Sequence, residues 1–239
     1  MSITVRTDHN GIRDKLRRIG WHHPEWWAVM AAAVAWMFMA GMSRTHASHT
    51  ESIPGIGHGQ CTLGMVYMVI AMMLPLTLTN VRHVALSSLW RRRHLAIAAF
   101  LVGYLAVWIV VQSAIGGTLG LLAPLVGWET AGGVAMVAAA LWEVAPTKRQ
   151  RLRRCHRTVP LAPRGWRADA DCVRYGVTTG FSCVTMCWAL MIAAAAFSHS
   201  FMVMTVLFGV QLSGRYQQRP SPVLAALSVL AVCLLSFAA

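Results

Sequence analysis

Seven long apolar runs divide the chain, and shorter polar or basic segments separate them. The runs cover approximately residues 26–42, 62–81, 95–115, 130–146, 179–197, 201–213 and 222–238. Most approach the ~20 residues that a helix needs to cross a bilayer. They lack the polar–apolar alternation of a membrane β-strand. Because backbone groups inside a bilayer must be satisfied within the protein, the pattern predicts an all-α, polytopic integral membrane bundle of about seven transmembrane helices.

Composition and the placement of charge agree with this pattern. Hydrophobic residues make up 56% of the 239 residues and charged residues only 12%, outside the usual range for soluble globular proteins. The formal net charge of +13 would suggest a nucleic-acid partner in a soluble protein. Here the basic residues sit between the apolar runs, in groups such as Arg91, Arg92 and Arg93. Such groups typically face anionic lipid, so we expect membrane lipids and no nucleic acid as partners.

The connections between the runs alternate in charge. From the N-terminus onward they carry five, one, four, zero, nine, zero, two and zero Lys and Arg residues. The positive-inside rule makes the N-terminus and three connections cytosolic, namely 82–94, 148–178 and 214–221. The C-terminus and two connections fall on the opposite side, namely 43–61 and 116–129. The chain is thus predicted to have a cytosolic basic segment, 1–25, and a single transmembrane helical domain, 26–239.

A sulfur-rich stretch lies on the predicted helix 179–197. Cys183, Met186 and Cys187 occupy positions i, i+3 and i+4, which places them on one helix face. Thiolate and thioether ligands are soft and select Cu(I), whereas thiolates alone also bind zinc and iron–sulfur clusters. The set therefore indicates a Cu(I) site. The alternative is ordinary packing, because cysteine and methionine also fill gaps between helices.

A second sulfur-rich face is predicted on helix 62–81. Met72 and Met73 lie about eight residues from its cytosolic end, and Cys187 lies at a similar depth in the fifth helix. At ~1.5 Å per residue the two faces are expected to meet. Pro75 removes one helical hydrogen bond and is expected to kink the helix beside them. Packing remains the alternative interpretation for these methionines.

The connection before the second helix is rich in further ligands. Its imidazole and thiol groups belong to His46, His49, His58 and Cys61. Such groups commonly bind copper and zinc, so the loop is predicted to collect metal for the helices. The spacing matches no strong zinc signature, and a polar surface loop without ligand is the alternative.

Other chemistry has little support in the sequence. The chain has six cysteines, but most lie in or at the cytosolic ends of predicted helices, so structural disulfides are not expected. Glu143 is an acid inside an apolar run, with Lys148 within reach. The sequence contains neither a glycine-rich phosphate loop nor a catalytic triad pattern, and we predict that the protein is not an enzyme.

Four short motifs follow one another in order along the chain, at 71–75, 103–108, 146–148 with Cys155, and 180–191. Together they resemble a bacterial family of predicted metal-binding integral membrane proteins, sometimes described as copper chaperones. The resemblance covers most of the chain from Met65 to Phe197. It implies a multi-pass protein of the bacterial cytoplasmic (inner) membrane with copper as its metal.

The chain departs from that family pattern at three places. Members usually have cysteines where Met186 and Arg151 stand here, and an acidic–basic pair near Gln211 and Leu212. Exchange of a thiolate for a thioether favours Cu(I) over zinc.

Three functional hypotheses remain open from the sequence. The first is a protein that binds Cu(I) and moves or delivers it to a membrane protein partner, a copper enzyme being one candidate. The second is a non-catalytic accessory subunit of a larger membrane metalloenzyme complex, whose sulfur-rich helices are ordinary packing. The third is thiol redox exchange, which the helical spacing of Cys183 and Cys187 disfavours because neighbouring side chains on one helix point in parallel.

Overall fold

The computed structural model describes residues 25–48, 57–89, 92–148, 159, 162, 166–197, 200–217 and 221–238. It describes the side chains of all these residues except 42–48, 57–63 and 238. The α-helices are α1 (Trp26–Ser48), α2 (Gly57–Met73), α3 (Leu78–Ser87), α4 (Arg93–Val126), α5 (Trp128–Val144), α6 (Trp166–Ala196), α7 (Phe201–Tyr216) and α8 (Pro222–Ala238). A 3₁₀ turn, Pro75–Thr77, joins α2 to α3. This part of the chain contains no strand, so the all-α class is confirmed.

Three helical segments are long and apolar enough to cross a membrane: Gly64–Ser87, Arg93–Val126 and Trp166–Ala196. Shorter apolar helical segments lie in α1 and α8. Many large apolar side chains, including Val110 and Leu125, are exposed on the outer surface. A lipid environment accommodates such a surface, which is compatible with a membrane location. Seven crossings and a cytosolic N-terminus stay predictions.

The helices α4 and α6 form the central pair of the bundle. Their backbones approach each other at glycines, where a Cβ on Gly176 would lie 2.1 Å from the Phe100 carbonyl oxygen. A Cβ on Gly103 would lie 2.5 Å from the Val173 carbonyl oxygen. Small residues permit this close contact between apolar helices. The contact fixes α6 along α4 and places Cys183 beside Tyr104.

Pro75 interrupts the helix at the predicted position. The α-helix ends at Met73, and the chain continues through one 3₁₀ turn into α3. Thr77 donates from both its backbone N–H and its hydroxyl to the Leu74 carbonyl, at 2.9 and 2.8 Å. Because proline has no N–H to donate, this local pairing replaces the regular helical pattern.

Several helices extend beyond the apolar runs that predicted them. α3 ends at Ser87 instead of residue 81, and α4 continues through the predicted connection 116–129 as far as Val126. α6 begins at Trp166, within the connection predicted over 148–178. The apolar window detects only the part of a helix suited to lipid, whereas exposed polar and basic residues such as Arg174 also suit helices. Gly127, with φ +88°, follows the last residue of α4.

Candidate metal site

The sulfur-bearing face of α6 lines a small buried cavity. Cys183, Met186 and Cys187 are all buried, and all three line this cavity of about 30 Å³. The Cys183 and Cys187 side chains are within hydrogen-bonding range of each other. The four described cysteines are free thiols. The three residues of the predicted i, i+3, i+4 face therefore border one cavity.

The rest of the cavity wall is more polar than the sulfur face. It comes from the 3₁₀ turn, the chain after α5, and the last turns of α7, and its residues are Leu76, Lys148, Gln211, Gly214 and Arg215. A space of this volume holds about one water molecule or one metal ion. Its volume therefore suits a single small ion.

Tyr104 and Trp108 on α4 bring polar groups to the sulfur face. The fully buried Tyr104 hydroxyl lies 3.2 Å from the Cys183 sulfur and 3.4 Å from the Met73 carbonyl oxygen, and its single O–H can donate to either acceptor. The Trp108 indole N–H lies near Tyr104 and Cys183 and has no hydrogen-bond partner of normal geometry. Both groups donate, and a thiolate accepts hydrogen bonds. The surroundings therefore suit a negatively charged sulfur at Cys183.

Met72 and Met73 lie deeper in the molecule than the cavity wall. Both are fully buried and belong to the same hydrophobic core as Cys183, Met186 and Cys187. They are not among the residues that line the cavity. Tyr104 links the two regions through the Met73 carbonyl and the Cys183 sulfur. The structure thus places the two predicted sulfur faces in one core but puts only the α6 face on the cavity.

A hydrogen bond from α5 supports the sulfur-bearing turn of α6. The Trp142 indole N–H donates to the Met186 carbonyl oxygen at 3.0 Å, and the Trp142 ring packs edge-on against Trp188. The carbonyl has a second lone pair, so it can accept this bond in addition to a helical one. The contact holds α5 and the cavity residue Lys148 next to the sulfur atoms.

The two cations of the cavity wall differ in their partners. Lys148 forms an ion pair with Glu143, as the sequence spacing predicted, and both side chains are largely buried. Arg215 donates from Nη2 to the Asn80 side-chain oxygen at 2.9 Å, and the Asn80 amide donates to the Tyr175 hydroxyl at 2.9 Å. The Arg215 Nε is buried and has no hydrogen-bond partner.

Gln211 is the most unusual polar residue at the cavity. It is only 5% exposed, and neither its side-chain oxygen nor its nitrogen has a hydrogen-bond partner. An unpaired buried polar group costs ~1–3 kcal/mol, so such groups are uncommon unless a ligand or water pairs with them. The amide thus marks the cavity as a place where a bound species is expected.

The sequence pattern did not predict that Lys148, Gln211 and Arg215 belong to the site. Arg215 counted only as a basic residue of a cytosolic connection, and Lys148 only as a neighbour of Glu143. Gln211 appeared as a departure from the family pattern. Its spacing of four residues before Arg215 was the available signal, because i and i+4 residues share a helix face.

The predicted histidine-rich collection site cannot be placed. His49 lies outside the described residues, and for His46, His58 and Cys61 the structure describes the backbone alone. Over the described ranges, no group of three or more His, Cys, Asp and Glu residues is positioned to hold a metal ion. The sulfur face of the cavity has two cysteines, Cys183 and Cys187, and the thioether of Met186 is the third candidate ligand.

These features define an all-helical protein with membrane-length apolar helices and a buried cysteine–methionine cavity. The family model described as copper chaperone, PpoB2, matches residues 62–237, and the chain belongs to this family. The predicted resemblance is confirmed. The matched range includes every residue that lines the cavity but excludes His46, His49, His58 and Cys61. No curated protein and no solved structure matches the chain.

Proposed function

We propose that the protein binds Cu(I) between Cys183, Met186 and Cys187 and delivers it to a protein partner in the membrane. The observation that carries the proposal is that these three residues line one buried cavity whose volume suits a single ion. Membership of a copper chaperone family supports copper as the cargo. Cys183 and Cys187 would supply thiolates, and Met186 a thioether.

The donor set suits a transported ion of this kind. Cu(I) is soft and accepts thiolate and thioether ligands, whereas harder divalent ions prefer nitrogen and oxygen. Binding replaces the two thiol protons, so that Cu(I) and two thiols give an anionic bis-thiolate and two released protons. Tyr104, 3.2 Å from the Cys183 sulfur, would hold that thiolate in place.

The test compares two pairs of cysteines. Purified protein is reduced and titrated with Cu(I) against a chromophoric Cu(I) chelator. We expect about one tightly held Cu(I) in the wild type and a loss of at least tenfold in affinity in the Cys183→Ser, Cys187→Ser double variant. The matched control is Cys172→Ser with Cys233→Ser, which alters two buried thiols outside the cavity. Equal copper in the two double variants would contradict the proposal.

We further propose that the cavity receives copper from the cytosolic side. Lys148 and Arg215 both belong to connections whose basic charge predicts a cytosolic position in the bacterial inner membrane, with the N-terminus inside. A single cysteine placed at the exposed Thr147 tests this orientation. It should react with an impermeant maleimide in inverted vesicles and not in intact spheroplasts; the reverse labelling would refute the orientation.

Delivery to a partner, without a reaction catalysed by this chain, completes the proposal. Incubation of copper-loaded protein with co-purified membrane proteins should move copper to one of them. If a partner co-purifies in fixed ratio while this chain holds no copper, the accessory-subunit hypothesis is favoured instead.

A further inference from the structure

We propose that Arg215 makes the cavity selective for monovalent over divalent metal ions, by offsetting the negative charge of a bis-thiolate complex. This inference rests on the proposed function, because it requires metal binding by Cys183 and Cys187. It assigns a specificity role to a residue that supplies no ligand. Three features of Arg215 support this role: its position, the charges around it, and the neutral residue one turn before it.

Arg215 lines the same cavity as the sulfur face. It lies in the last turn of α7, and its Nη2 donates to Asn80, which in turn bonds Tyr175. This chain of hydrogen bonds fixes the guanidinium between α3, α6 and α7. The buried Nε without a partner leaves one donor of the guanidinium unsatisfied. An anionic species in the cavity would be stabilised by this arrangement.

Among the residues that line the cavity, Arg215 is the source of net positive charge. Lys148 also lines the cavity, but its charge is matched by Glu143. Neither the ion pair between Lys148 and Glu143 nor the one between Arg92 and Asp169 includes Arg215. Asn80, which accepts a hydrogen bond from Arg215, is a neutral amide. The cavity wall therefore carries one positive charge.

This charge distinguishes Cu(I) from Zn(II). Two thiolates with Cu(I) carry a net charge of −1, which Arg215 brings to zero. The same thiolates with Zn(II) are neutral, so that the half-buried Arg215 remains an uncompensated cation at the cavity. Uncompensated charge is costly in a medium of low dielectric constant. One unit of charge on the wall of the same cavity corresponds to roughly 10- to 100-fold in relative affinity.

Because Gln211 is neutral, it does not cancel the charge of Arg215. It lies four residues before Arg215 on α7, the spacing at which an acid and a base pair along a helix. Its side chain is a neutral amide without a hydrogen-bond partner. A carboxylate in this position would pair with Arg215 and cancel the charge. The substitution Gln211→Glu thus removes the proposed selectivity without removing the arginine.

The experiment measures the ratio of Cu(I) to Zn(II) affinity by chelator competition in the purified full chain. The variants are Arg215→Gln, Arg215→Lys and Gln211→Glu, with Arg82→Gln as a matched change at an exposed arginine away from the cavity. We expect the ratio to fall about 10- to 100-fold in Arg215→Gln and in Gln211→Glu. Arg215→Lys, which keeps the charge, and Arg82→Gln should stay within about threefold of the wild type.

The outcomes separate this inference from the function on which it rests. An unchanged ratio in Gln211→Glu overturns the inference, even if loss of the Asn80 bond prevents Arg215→Gln from folding. A ratio that falls equally in Arg82→Gln also overturns it, since the effect would then be one of total charge. If the ratio is unchanged while the double cysteine variant loses copper, the proposed function stands. If the double cysteine variant keeps its copper, the site itself is wrong.

Discussion

Two parts of α6 meet their neighbours in opposite ways. Around Gly176 the helix touches the backbone of α4 so closely that a Cβ has no room. Two to three turns later, at Cys183 and Cys187, the same helix borders a cavity whose lining includes polar atoms without hydrogen-bond partners. Close packing stabilises the bundle, and unsatisfied polar groups destabilise it. We infer that the close contact at Gly176 stabilises the helix pair that carries the cavity, whose own polar atoms lack hydrogen-bond partners.

The largest effect is expected from disturbing the tight contact. Gly176→Ala places a Cβ 2.1 Å from the Phe100 carbonyl oxygen, so the helices must separate. We expect destabilisation of roughly 4 kcal/mol, at the high end of single substitutions, and a loss of copper binding through displacement of Cys183. Thermal unfolding in detergent measures the first effect, and Cu(I) titration the second.

A glycine with free space provides the control for this prediction. Nothing lies within 4 Å of a Cβ added to Gly116, also on α4. Alanine is a better helix former than glycine, so Gly116→Ala should leave stability unchanged or raise it by up to ~1 kcal/mol. Equal destabilisation by the two substitutions would refute the contrast between the tight contact and the rest of the bundle.

A smaller effect is expected from breaking the ion pair on the cavity wall. Glu143→Gln leaves Lys148 charged, largely buried and unpaired, which should destabilise the protein by about 3 kcal/mol. Lys148→Met alone leaves Glu143 in the same position and should have a similar effect. The double variant removes both charges and should recover most of the stability. Urea unfolding of the four proteins gives the coupling, and additive effects would show that the pair contributes nothing.

The sequence predicted the sulfur face because one helix carries it. The spacing of Cys183, Met186 and Cys187 needs only helical geometry, and the interruption at Pro75 needs only the missing N–H. The cavity wall was harder to predict, because Leu76, Lys148 and Arg215 come from three separate segments. Their meeting depends on the tertiary packing of the 3₁₀ turn, the chain after α5, and α7. No local pattern encodes which of 21 basic residues faces the sulfur atoms.

Helix ends were also only partly predictable. The apolar run of α6 begins near residue 179, yet the helix begins at Trp166. Its first turns contain the Asp169 that pairs with Arg92, and the buried Tyr175 that bonds Asn80. Polar residues form these contacts outside the apolar window. A hydropathy pattern therefore finds the segment suited to lipid but not the extension that positions Arg215.

The smallest expected effect concerns the unsatisfied amide itself. Gln211→Leu replaces two unpaired buried polar atoms with an apolar group of similar length, so the metal-free protein should gain about 1 kcal/mol of stability. If the amide pairs with a species in the cavity, the gain should shrink once Cu(I) is bound, because the wild type alone then satisfies its amide. Thermal unfolding with and without Cu(I) measures both values. A loss of stability in the metal-free variant would mean that the Gln211 amide already has hydrogen-bond partners without metal. The contrast between the tight contact at Gly176 and an unsatisfied cavity would then be wrong.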